Sequence, residues 1–136
     1  MYRQILVPVD MSHKDRAVPM IEIAKNVGGD GAKITLVSVV EDVPSYVMVQ
    51  LPEDVIEEAK KDAAEELSAI ASTAGINADI RVGHGRAHTA ILSCAEEIGS
   101  DLIVIASHRP GLQDYLLGST AARVVRHADC SVLVIR

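Results

Sequence analysis

Apolar residues fall in short runs separated by polar and glycine-rich breaks, and the runs alternate between two periods. Tyr2 to Asp10 carries an unbroken apolar stretch, Ile5-Leu6-Val7-Pro8-Val9. Apolar character without alternation predicts a parallel strand covered on both faces. Pro8 removes one ladder donor, so pairing is expected to stop there, with Asp10 just past the carboxyl end. From Ser12 the period changes: Ala17, Ile21, Ala24 and Gly28 recur at spacings of four, three and four, which is helical. Ser12 with Asp15 resembles a capping box. Pro19 requires either a later start or a kink, and Gly28-Gly29-Asp30-Gly31 ends the helix.

Ala32 to Val40 predicts a second strand, and Glu41 to Leu51 an irregular loop carrying Pro44, Tyr46 and Met48. A second helix opens around Pro52. Its apolar face is Ile56, Ala59, Ala63, Leu67, Ile70 and Ala74, with a Glu57–Lys61 pair on the other side. Gly75 closes it. Ala78 to Val82 alternates and predicts a half-exposed edge strand, followed by a Gly83-His84-Gly85 turn. A third helix carries Ala87, Ile91, Cys94 and Ile98 and ends at Gly99. Leu102 to Ala106 is a buried fourth strand. It runs into Ser107-His108-Arg109 and a Pro110-Gly111 turn. Gly118-Ser119-Thr120 opens a fourth helix with Ala121, Val124, Val125 and Ala128 on its apolar face, Ser119 or Thr120 serving as N-cap. Ser131 to Arg136 is a fifth strand. The alternation βαβαβαβαβ predicts an α/β fold, an open doubly wound five-stranded parallel sheet with helices on both faces. Right-handed crossovers prune its topologies to a few.

At 136 residues the chain reads as one domain, 1–136. It is long enough to bury roughly two-thirds of its unfolded surface. With no Trp or Phe, its core must be aliphatic. The net charge of -6 argues against nucleic acid as a partner. There is no apolar run of membrane-spanning length and no signal-peptide layout. Cys94 and Cys130 stand apart in apolar segments and read as free buried thiols in a reducing cytoplasm.

The chemistry gathers at strand ends. There is no Walker loop, G-x-G-x-x-G, H-E-x-x-H, paired C-x-x-C or G-x-S-x-G. Asp10 lies at the mouth of a crevice if the first and fourth strands are neighbours. It serves either as an Asx-turn acid or as an acceptor for a ribose hydroxyl or base amine. Gly118-Ser119-Thr120 is either a plain cap or a place where free amides meet an anion. Arg109 is either a solvated loop charge or a planar fork for phosphate. Together they outline the ligand crevice of an open α/β sheet.

The stretches ILVPVD at 5–10, Gly85 to Leu92, DLIVIASHR at 101–109 and LLGSTAARVVRHADCSVLVIR at 116–136 resemble the universal stress protein family over nearly the whole chain. The resemblance implies strand order 3-2-1-4-5, a dimer, and ATP binding in many members. The family's motif is G-x2-G-x9-G-[ST]. Gly118 and Ser119 match its second half, while Ala106 and Arg109 stand where glycines are expected, with eight residues between Arg109 and Gly118. A subgroup with S-H-R-P and L-L-G-S at these places is nearer to this chain and is also regarded as nucleotide-binding. Carried over, Pro8, Val9 and Asp10 border the adenosine and Val39 touches adenine. Ala106, Ser107 and Arg109 line the ribose-phosphate side, and Gly118, Ser119, Thr120 and Ala121 face the phosphates. The expected cofactor is ATP, with or without Mg2+, in a cytoplasmic regulator of the stress response. The rival readings are a slow ATPase, with Asp114 the only loop carboxylate near Gly118, and a nucleotide-free interaction module. The apolar terminal strand predicts a homodimer through that edge, with a tetramer left open.

Overall fold

The computed structural model describes residues 1–41, 52–107 and 117–136. Five parallel strands form one sheet: β1 (Tyr2–Pro8), β2 (Gly28–Glu41), β3 (Asp79–Gly85), β4 (Leu102–Ala106) and β5 (Ser131–Ile135). Their order is β3-β2-β1-β4-β5, the order that the resemblance implies. Among the described residues four helices connect them: α1 (Ala17–Val27), α2 (Glu53–Ala74), α3 (Ala87–Ile98) and α4 (Ser119–His127).

Topology decides which face each helix covers. The chain steps from β1 outward to β2 and β3, then crosses back to β4 and β5. Right-handed crossovers put helices on opposite faces when the direction reverses. Thus α1 and α2 bury Met20, Ile21, Ala24, Leu67 and Ala71 against Ile5, Val7 and Leu36. On the other face α3 and α4 bury Ile91, Cys94, Ala121 and Val124 against Leu6, Val37, Ile103 and Ile105. The alternation of Ile5, Leu6 and Val7 between two cores is the two-residue period of a strand buried on both sides.

Several local expectations are corrected. The helix after β1 begins at Ala17, not Ser12, so Pro19 falls in its first turn, where its missing N–H costs nothing. A 3₁₀ segment, Met11–Arg16, precedes it, capped by Asp10 and not by a Ser12–Asp15 box. The helix does end at Gly28, but the chain extends at once: Tyr2 pairs with Gly28, so β2 starts four residues earlier than the apolar run suggests. Gly83-His84-Gly85 is strand, not turn, because Val39, Val40 and Glu41 supply a ladder for it. Pro52 is the N-cap of α2, and Glu57 pairs with Lys60, not Lys61, at 3.8 Å. Val125 is 44% exposed, not part of the buried face. The irregular loop at 42–51 and the stretch 108–116, with Pro110-Gly111, lie outside the described residues. No helix among the described residues is long and apolar enough to cross a membrane.

Candidate functional site

The site begins with a missing donor. In a parallel strand, successive residues turn their backbone polar groups to opposite neighbours. The Val9 amide donates to the Val37 carbonyl on β2 at 2.8 Å, and the Gln4 carbonyl accepts from Asp101 on the β4 side at 2.9 Å. Even-numbered positions of β1 therefore address β4, and at Pro8 there is no N–H to offer. Paired positions between β1 and β4 end at Leu6 and Ile103, whereas β1 stays paired to β2 through Pro8 and Val37. The expected halt at Pro8 holds on one side only. The seam opens at the topological switch point, where an α/β sheet makes its crevice.

A cavity of about 490 Å³ occupies that opening. Strand ends supply Pro8, Val9 and Asp10 from β1, Ser38, Val39 and Glu41 from β2, and Ile105 and Ala106 from β4. Two helix starts converge on it, with Ala87 from α3 and Gly118 to Ala121 at the head of α4. His13, Arg16 and Met20 close the side toward α1. The walls are mixed, with aliphatic floor and polar rim, as small-ligand sites usually are.

Asp10 combines both readings of its role in one geometry. Its Oδ1 accepts the Ser12 amide at 2.9 Å, the Asx arrangement that turns the chain into the 3₁₀ segment. Its Oδ2 lies 3.3 Å from His13 Nδ1. The carboxylate is nonetheless 55% exposed on the crevice wall.

At the head of α4, Gly118 is the N-cap, replacing the expected Ser119 or Thr120, and no side chain among the described residues caps the helix. The Gly118 amide donates to the buried Ser107 hydroxyl at 3.0 Å. Ser107 donates its own amide to the Ile135 carbonyl at 2.8 Å. Ser107 is thus tied to β5 and to the helix head and is not among the lining residues, so it holds the wall from behind. The first amides of a helix point outward with a partial positive charge, which favours an anion before them. Basic residues stand near its other end, Arg126 and His127 in the last turn.

Of the residues singled out from the sequence, Pro8, Val9, Asp10, Val39, Ala106, Gly118, Ser119, Thr120 and Ala121 converge on one cavity. Arg109 and Asp114 lie outside the described residues. Sequence reasoning missed His13, Arg16 and Ala87. The uncertain start around Pro19 concealed the first two, and Ala87 shows in the sequence only as part of the apolar face of the third helix. Among the described residues no group of three His, Cys, Asp or Glu could hold a metal ion. Burial pushes the thiols of Cys94 and Cys130 up, so neither is a ready nucleophile. Both cysteines are free.

A profile of the Universal stress protein family matches residues 1–136. Universal stress protein A homolog 2 of Coxiella burnetii is 36% identical over 146 aligned positions, covering 99% of this chain and 95% of that protein. A solved universal stress protein in complex with cAMP has a TM-score of 0.65 at 23% identity, covering 99% of this chain and 97% of that one. The universal stress protein from Archaeoglobus fulgidus in complex with dAMP has a TM-score of 0.66 at 21% identity, covering 99% of this chain and 98% of that one. At these identities the two structures establish the shared fold.

Proposed function

The chain belongs to the universal stress protein family, and on that premise we propose that its crevice binds an adenine nucleotide, ATP in the first instance, in a regulatory role in the stress response. One observation carries the reading: the cavity at the β1/β4 switch point is faced by the head of α4, with Asp10 on the opposite strand end. The two solved relatives, described in complex with cAMP and dAMP, support the adenine part.

The residues fit such a ligand by their chemistry. Val9 and Val39 offer apolar surface to a base, and Asp10 accepts from a ribose hydroxyl. The head of α4, from Ser119 to Ala121, takes the phosphate side. The Gly118 amide is already engaged by Ser107, so that glycine contributes room more than a donor. Arg16 adds positive charge on the α1 side.

Calorimetry of the nucleotide-free chain with ATP and magnesium tests the reading. We expect saturable heat and a rise in melting temperature. Neither heat nor shift at millimolar ATP ends it. Residues 1–136 act as one domain in this scheme, and it pairs with itself through β5. Val132, Leu133, Val134 and Ile135 are half-buried on that edge strand, and Val125 is exposed on α4. Light scattering at micromolar concentration reads the pairing, and a monomer there rules it out.

A further inference from the structure

β3 has two unlike faces. Ile80 and Val82 pack into the core under α2. The alternate positions turn toward α3: Arg81 reaches Glu97 at 3.2 Å, and a Cβ on Gly83 would sit 2.9 Å from that of Ala90. A strand face beneath a helix is normally filled by aliphatic side chains. Here Gly83 lets Ala90 of α3 approach the strand closely, and Gly85 holds a φ of 109° that side chains disfavour. A second cavity, of about 450 Å³, lies beside this packing and is lined by residues of β3 and α3.

Its lining is chemically one-sided. Among its described lining residues are two arginines, Arg81 and Arg86, and a single carboxylate, Glu97. α3 adds hydroxyls from Thr89 and Ser93, which share one helical face with Arg86 at spacings of three and four. This is a local excess of cation on a chain of net charge -6. Among the described residues no carboxylate forms an ion pair with Arg86. On α3, burial, and after it the charges of Arg123, Arg86 and His127, hold the His88 imidazole below its usual range.

We propose that this cavity is a second ligand site, for a small molecule carrying a phosphate or carboxylate group, with Arg86 as the primary anchor and Arg81 as the second. The Arg81 fork has five donors, so its bond to Glu97 leaves others for the ligand and fixes the plane of the guanidinium. Thr89 and Ser93 donate to the remaining oxygens. α3 is a common wall of both sites: Ala87 and Ile91 line the crevice, while Arg86, Ala90 and Cys94 line this cavity.

The test is amide NMR of the full chain titrated with inorganic phosphate, and in parallel with citrate, at low salt. We expect saturable shifts at Gly83, Gly85, Ala90 and Ser93, weakened about tenfold by Arg86→Gln. Arg86 is exposed, so the rest of the spectrum should be unchanged in the variant. Saturation by either anion supports the site, and the stronger one tells phosphate from carboxylate recognition. Shifts that stay linear with concentration, or that Arg86→Gln leaves unaltered, overturn it. Ser119 to Ala121 report the crevice separately, so each site stands or falls alone.

Discussion

The two ends of the β1/β4 seam are built in opposite ways. At the amino end the Asp101 carboxylate accepts the amides of Arg3 at 2.9 Å and Gln4 at 2.9 Å. The Ser100 hydroxyl donates to the Leu102 carbonyl at 2.8 Å, and lies 3.2 Å from the Gln4 carbonyl. That end is stapled by surplus hydrogen bonds. At the carboxyl end Pro8 has no amide to give, the paired positions stop at Leu6, and a cavity opens. One seam therefore provides both a clamp and a mouth. The difference teaches that a switch-point crevice needs a loss of pairing at one end and a gain of it at the other, since an open seam without a clamp would cost register.

The comparison breaks most sharply if the open end is filled. Gly118 has a φ of -62°, which any side chain tolerates. Gly118→Asp places a carboxylate at the N-cap, where it stabilises α4 and repels an incoming phosphate. We expect nucleotide affinity to fall roughly a hundredfold by calorimetry, as like charges meeting in an interface cost several kcal/mol. The melting temperature should hold or rise. Loss of both together would mean that the helix head was merely damaged.

Removing the clamp is the next largest effect. Asp101→Ala should cost about 1.5 kcal/mol in urea unfolding, because it strips charged acceptors from the Arg3 and Gln4 amides. The effect carries a pH signature. Burial alone would raise the Asp101 pKa, but the amides of Arg3, Gln4 and Asp101 itself, and the N-terminal ammonium, outweigh it and hold the carboxyl below its usual value. A depressed folded-state pKa gives stability that is present above the ordinary aspartate value of about 3.9 and is lost as pH falls through the lower folded value. The wild-type advantage over Asp101→Ala should shrink over that acid window. An advantage constant down to the most acid conditions would show that the carboxylate's charge is idle.

Ser107→Ala acts behind the open end. It leaves the Gly118 amide without its acceptor, at a cost of about 1 kcal/mol. Nucleotide affinity should fall only a few-fold, because the lining residues remain. A loss as large as that for Gly118→Asp would place Ser107 in direct contact with the ligand.

The sequence made the mouth legible and left the clamp obscure. Pro8, Asp10 and Gly118 are residue types whose chemistry shows in a linear string, and the alternation of strands and helices puts them at one edge. Ser107 could not be placed the same way, because its role depends on an amide eleven positions along the chain. Asp101 binds amides 97 and 98 positions away, which no local pattern reveals. The turn expected at Gly83-His84-Gly85 fails for a different reason. Glycine punctuates turns in most chains, and only pairing with Val39, Val40 and Glu41 shows that these glycines lie in a strand. Gly83 there lets Ala90 of α3 approach the strand. The 3₁₀ start before α1 escaped for a similar reason, since His13 has φ -138° and ψ 53°, breaking the helical period that the sequence opens at Ser12.

The finest test asks whether Pro8 itself opens the seam. Pro8→Ala restores an amide that the register directs at β4, since even positions of β1 face that strand. If the absent donor is what ends the pairing, the introduced alanine should join the ladder and exchange its amide hydrogen slowly, while the crevice narrows. Nucleotide affinity should then drop about two- to threefold, well under one decade of Kd. Stability should change by about 0.5 kcal/mol or less, because the new hydrogen bond offsets the greater freedom of the unfolded chain. If the restored amide instead exchanges as fast as one in a loop, the cause lies elsewhere: the sheet's own twist parts β1 from β4, and proline is tolerated there because no partner was ever in reach.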